Sequence, residues 1–132
     1  MMTKQLEAYQ NNAITTASGP QLTLMLYNGC IKFINQGIKA MNDKDYEAKN
    51  TFIQKAQDII QELMLTLNQE IDISKHMLPL YDYIYYLLQQ GNIKNDVAQL
   101  EEALEFVTEF RDTWKEVMKK GIPSKNEQGA KE

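Results

Sequence analysis

The sequence predicts an all-α protein, an antiparallel up-down four-helix bundle behind a short N-terminal capping segment. Apolar residues recur at steps of three and four over long stretches, with no strand-like alternation to compete. Only 6 glycines and 3 prolines occur in 132 residues, so little interrupts those stretches. The polar breaks between them are about four to seven residues long, short enough to make successive helices antiparallel neighbours. The length suits one domain with one core. Residues 1–121 form that domain, with 1–17 as the cap segment and 18–121 as the bundle, and 122–132 read as a disordered tail.

The first helix is expected to begin at "SGPQLTLMLYNG". Ser18 and Gln21 have capping-box spacing there, and Pro20 occupies the first turn. It runs to about Met41. "NDKD" (42–45) is a polar turn in which Asp43 or Asp45 caps a second helix reaching about Leu67. A third helix is expected over about 76–90, starting near Met77 or kinking at Pro79. "GNIKN" (91–95) reads as the next break. Asp96 and Gln99 offer a second capping-box spacing, and the last helix runs until Gly121.

At about 100° per residue the second helix has an ordinary core stripe. Phe52, Ile53, Ala56, Ile59, Ile60, Leu63 and Leu67 lie within an arc of roughly 120°. The fourth is similar, with Leu100, Ala103, Leu104, Val107, Phe110, Trp114, Val117 and Met118 on one side. The first helix carries two stripes: Leu22, Leu26, Cys30 and Phe33, and then Leu24, Tyr27, Ile31, Ile34, Ile38 and Met41. Their centres are roughly 120° apart, so one stripe exceeds what a bundle face needs. The third helix, "LPLYDYIYYLLQQ" (78–90), is apolar over most of its circumference and holds Tyr81, Tyr83, Tyr85 and Tyr86. The surplus has three covers: tight internal packing, a second copy of the chain, or another protein. Tyrosine tips the balance toward an interface, because it is amphipathic and tolerates water when a partner is absent.

Several function classes are excluded by what the sequence lacks. A net charge of -4 with no Lys/Arg run argues against nucleic acid. Eighteen consecutive apolar residues occur nowhere, so membrane insertion is not expected. The single cysteine, Cys30, allows no internal disulfide and fits a cytoplasmic setting. With one histidine, His76, the chain cannot supply the paired Glu-x-x-His motifs of a di-metal bundle. Neither a phosphate-binding glycine loop nor a nucleophile elbow is present. No enzyme activity, metal or cofactor is expected.

Five stretches together resemble one family: "AYQNNAITTASGPQLTLMLYNGCIKFI" (8–34), "KAQDIIQELMLTLNQEI" (55–71), "LYDYIYYLL" (80–88), "NIKNDVAQLEEA" (92–103) and "EFRDTWKE" (109–116). The chain resembles the FliS family of flagellin export chaperones, collinearly to about residue 118. Pro79 and the tail depart from the family pattern. The resemblance implies a four-helix bundle with an N-terminal cap, located in the cytoplasm. It implies a guest, the C-terminal segment of flagellin, which is kept from premature polymerisation and delivered to the flagellar type III export gate. On this reading Leu24, Tyr27, Ile31, Ile34 and Ile38 of the surplus stripe and Tyr81, Tyr83 and Ile84 of the tyrosine block bind flagellin. Which tyrosines face guest and which face core is left open by periodicity. Leu6, Tyr9 and Ile14 form the N-terminal cap and the contact with the export-gate protein, and the same segment offers a contact for other flagellar regulators. The alternative is a structural or homo-oligomeric bundle that hides its surplus stripe in itself and has no flagellin guest.

Overall fold

Two corners of nearly identical design set the topology. In each, a helix ends with one non-glycine residue in the left-handed region, Lys44 (φ 61) or Asn95 (φ 52). The next residue is an aspartate that caps the following helix. At the first corner Asp45 N donates to Ala40 O (2.8 Å) and Lys44 N to Met41 O (3.0 Å). At the second, Asp96 N donates to Gly91 O (2.9 Å) and Asn95 N to Asn92 O (3.4 Å). Both are Schellman motifs, which satisfy the last carbonyls of one helix while turning the chain. The aspartates then accept from the new helix, Asp45 Oδ1 from Ala48 N (3.2 Å) and Asp96 Oδ1 from Ala98 N (3.0 Å). Gln99 donates to the Asp96 carboxylate (3.2 Å), so the expected box closes on a side chain.

The computed structural model describes residues 19–67 and 72–120, the side chains of 72–75 excepted. Its elements are α1 (Gly19–Asn42), α2 (Tyr46–Thr66), α3 (Asp72–Lys94) and α4 (Val97–Lys119). Each helix packs on its sequence neighbours, and α4 returns to α1. The contacts run antiparallel throughout. Gly37 meets Ile53, and Gly91 meets Leu100. Trp114 Nε1 near the end of α4 donates to Pro20 O at the start of α1 (2.9 Å). The architecture is an all-α, up-down-up-down four-helix bundle.

The core is continuous through all four helices. Leu26, Ile34, Ile53, Ile60, Ile84, Leu88, Leu100 and Val107 are wholly enclosed, and burial of such side chains contributes roughly 1.5–3 kcal/mol each. Cys30 lies in the same core and its thiol donates to Ala56 O (3.8 Å). Burial pushes that thiol far up from its ordinary pKa. Lys49 is a buried lysine that periodicity does not single out. Its Nζ donates to Asn92 O (2.7 Å), one of the last carbonyls of α3, and burial lowers its pKa.

Three sequence expectations change. The third helix starts by Asp72 and continues through Pro79, which is exposed and costs it a hydrogen bond but no core contact. Gly91 lies inside α3, where a side chain would come within 2.6 Å of Leu100 Cδ2. The break falls at Asn95, so this glycine serves a close helix approach. The first helix, finally, has no surplus stripe of the kind expected. It lies between α2 and α4, which bury Tyr27, Ile34 and Met41 along with Leu26, Cys30 and Phe33 and leave Leu24, Ile31 and Ile38 half-buried. The N-terminal cap segment with Ser18, the 68–71 connection and the 122–132 tail lie outside the described residues.

Candidate protein-binding surface

The four tyrosines of α3 divide by helical angle into three environments. Tyr81 points inward, where its hydroxyl meets that of Tyr27 across the bundle at 2.6 Å. Phe110 closes on both rings, with centroids 6.3 Å from Tyr27 and 5.9 Å from Tyr81. Burial raises the pKa of both phenols, so a neutral, mutually paired couple replaces water in the core. Tyr85 is half-buried on the α2 side, where Gln61 Nε2 donates to its hydroxyl at 3.4 Å. Tyr83 and Tyr86 face outward on the α4 side.

That outward pair is the surface of interest. Tyr83 is 41% and Tyr86 52% exposed, and their rings stack at 6.4 Å. Phe106 of α4 meets Tyr83 edge-on at 5.8 Å and continues to Phe110 at 6.4 Å. Tyr83 donates to Glu102 Oε2 (2.8 Å), a bond that raises its pKa and fixes the ring. Leu80 adds an exposed aliphatic edge (37%). An aromatic chain thus runs from solvent into the core between α3 and α4. The other aromatic pair, Phe33–Phe52 on α1 and α2, is roofed by cations, with Lys55 Nζ 5.4 Å and 5.7 Å from the two rings. The Tyr83–Tyr86 pair has no such roof among the cation–ring contacts of the described residues.

Of the residues the sequence nominated for guest contact, Tyr83 is exposed, and Leu24, Ile31 and Ile38 are half-buried. Tyr27, Ile34, Tyr81 and Ile84 are core. Placing those four at a surface is corrected by the packing: α1 and α3 each have two neighbours, which cover two faces. Leu6, Tyr9 and Ile14 lie outside the described residues. Sequence reasoning missed Phe106 and Leu80, the first because one fourth-helix stripe looked sufficient. Phe106 follows Glu102 by four positions, and that helical spacing was the available signal. Among the described residues no three His, Cys, Asp or Glu side chains are grouped to hold a metal ion. No described helix is long and apolar enough to cross a membrane.

Fold and face together define a small helical-bundle protein with an unroofed aromatic surface, the composition found at protein contacts. The family model described as flagellar protein FliS matches residues 2–121. The chain belongs to the FliS family. It is 51% identical over 111 residues to the flagellar secretion chaperone FliS of Bacillus subtilis strain 168, covering 84% of each chain. It is 31% identical over 108 residues to that of Escherichia coli K12, covering 80% of this chain and 79% of the other. A crystal structure of a bacterial flagellar chaperone superposes with a TM-score of 0.72 at 21% identity, covering 88% of this chain and 98% of that one.

Proposed function

We propose that this protein is a cytoplasmic, non-enzymatic chaperone that binds the C-terminal segment of flagellin, prevents premature polymerisation and delivers the subunit to the flagellar type III export gate. Membership of a family whose relatives are flagellar secretion chaperones supports it. The observation that carries the binding step is the unroofed Tyr83–Tyr86 stack with Phe106 and Leu80 beside it. A guest segment with an apolar helical face covers such a surface as a helix laid in a groove. Half-buried Leu24, Ile31 and Ile38 offer the guest further apolar edges, while Tyr27, Ile34, Tyr81 and Ile84 form the rigid floor beneath. In this reading Leu6, Tyr9 and Ile14 close the bundle when it is empty and contact the export gate.

Co-purification with full-length flagellin and with flagellin lacking its C-terminal segment tests the assignment. Capture of the first alone, with a negative heat-capacity change in calorimetry, is the expected result. Equal capture of both sinks it. Self-association of the free chain, with flagellin ignored, favours the homo-oligomeric bundle.

A further inference from the structure

Tyr83, exposed as it is, is gripped from three directions. Tyr86 lies nearly parallel to its ring at 6.4 Å, Phe106 meets it edge-on at 5.8 Å, and Glu102 Oε2 accepts its hydroxyl at 2.8 Å. Two of these three partners come from α4, where Glu102 and Phe106 are four positions apart and so share one helix face. The hydrogen bond crosses the α3–α4 seam between residues 19 positions apart in sequence. It therefore fixes the ring against a second helix rather than along its own.

Folding gives this bond little to do. Tyr83 and Glu102 are both exposed, and the bundle beneath them is closed by Ile84, Leu87 and Leu88 of α3 and by Leu100, Ala103 and Val107 of α4. Substitutions at exposed positions of this kind leave stability nearly unchanged. Binding gives it more. A free surface tyrosine moves among staggered rotamers, and a contact surface loses affinity for each side chain that binding has to immobilise. A carboxylate suits the purpose, because it only accepts and its charge strengthens the bond.

We propose that Glu102 is a positioning residue of the binding surface: by accepting the Tyr83 hydroxyl it holds that ring between Tyr86 and Phe106 in the empty protein, so the aromatic face is formed before a guest arrives. This rests on the reading of the face as the flagellin contact. Tyr83 is then the fixed ring, and Tyr86, the more exposed of the two, is left to adjust to the guest.

The test uses the full chain and four variants: Glu102→Gln, Glu102→Ala, Tyr83→Phe and the double variant Glu102→Ala/Tyr83→Phe. Thermal melts on each are expected to match the wild type. Tyrosine NMR on the free protein measures the tether itself. Wild type and Glu102→Gln are expected to show Tyr83 in one rotamer against Phe106, since an amide oxygen accepts the same bond. Glu102→Ala is expected to show rotamer averaging, with the raised Tyr83 pKa falling toward its ordinary value. Calorimetry with monomeric flagellin is expected to show affinity lowered about fivefold in Glu102→Ala and in Tyr83→Phe alike, the order for one side chain immobilised on binding. The double variant should lose no more than either single one, and Glu102→Gln should bind as the wild type does. A Glu102→Ala protein that keeps one Tyr83 rotamer, or that binds flagellin with wild-type affinity, overturns the proposal, as do additive losses in the double variant. Glu102→Gln as weak as Glu102→Ala, with Tyr83→Phe unimpaired, makes the carboxylate a direct ionic contact of the guest and overturns it too. Each of these results, obtained with a wild-type protein that captures flagellin, leaves the guest reading standing. A wild-type protein that binds no flagellin overturns both.

Discussion

Tyr27 and Tyr81 show how two polar atoms are accommodated in an apolar core: each is the other's solvent. Replacing one by phenylalanine strands the second hydroxyl, which costs about 1–3 kcal/mol, whereas replacing both removes donor and acceptor together. Denaturant unfolding of Tyr27→Phe, Tyr81→Phe and the double variant is expected to give a double-mutant cost smaller than the sum of the singles. The same pair sets an alkaline limit. Burial raises both folded-state pKa values above the unfolded phenol value. Below about pH 10 both states keep their protons and the stability is whole. As pH rises through that value only the unfolded chain loses them, so stability falls. Absorbance at 295 nm and circular dichroism, followed together, should show two phenols ionising only as helix is lost.

At the scale of elements, the decisive features are close approaches and helix ends. Gly91→Ala puts a methyl 2.6 Å from Leu100 Cδ2 and 3.2 Å from Asp96 O. The α3–α4 corner must move or strain, and overpacking of this kind costs about 1–3 kcal/mol. Urea midpoints measure it, and an unchanged midpoint refutes the role assigned to this glycine. Lys49 ties the start of α2 to the end of α3 through one carbonyl. Lys49→Met keeps the stem packed and removes the bond and the charge at the helix terminus, for an expected loss of about 1–2 kcal/mol. Asp96 was legible as a cap because aspartate before a periodic run has one common use, and Asp45 was legible as one of two candidates with Asp43, between which the structure decides. Lys44 and Asn95 were read only as members of the breaks at 42–45 and 91–95, and not as the residues that turn the chain, since a non-glycine in the left-handed region carries a weak sequence signal.

For the whole molecule, the separation of core from surface makes one prediction of opposite outcomes. Tyr83→Asp places a charge on an exposed ring position, so flagellin affinity should drop while the melting temperature holds. Leu63→Asp buries an unpaired charge in the core, at a cost of about 4 kcal/mol or more, and should abolish the folded state. Calorimetric titration and thermal melts on both variants check it. If Tyr83→Asp melts as low as Leu63→Asp, the aromatic face is structural.

The sequence by itself determined the helices, the aspartate caps, the antiparallel order and the family, because each is written in local spacing or collinear resemblance. Helical periodicity fixes where a side chain lies around its own axis, and it put Ile31 and Ile34 on one stripe correctly. It does not fix how many neighbours a helix has. Two neighbours each for α1 and α3 turned Tyr27, Ile34 and Met41 of the expected surplus stripe into core and sorted Tyr81, Tyr85 and Tyr83 into three environments. Only the tertiary structure could join Asn50, Gln57 and Asn92, from two helices, into one groove. The amides of α2 recur at helical steps, but polar residues on a helix face look like ordinary solvent-facing positions until a second helix stands beside them.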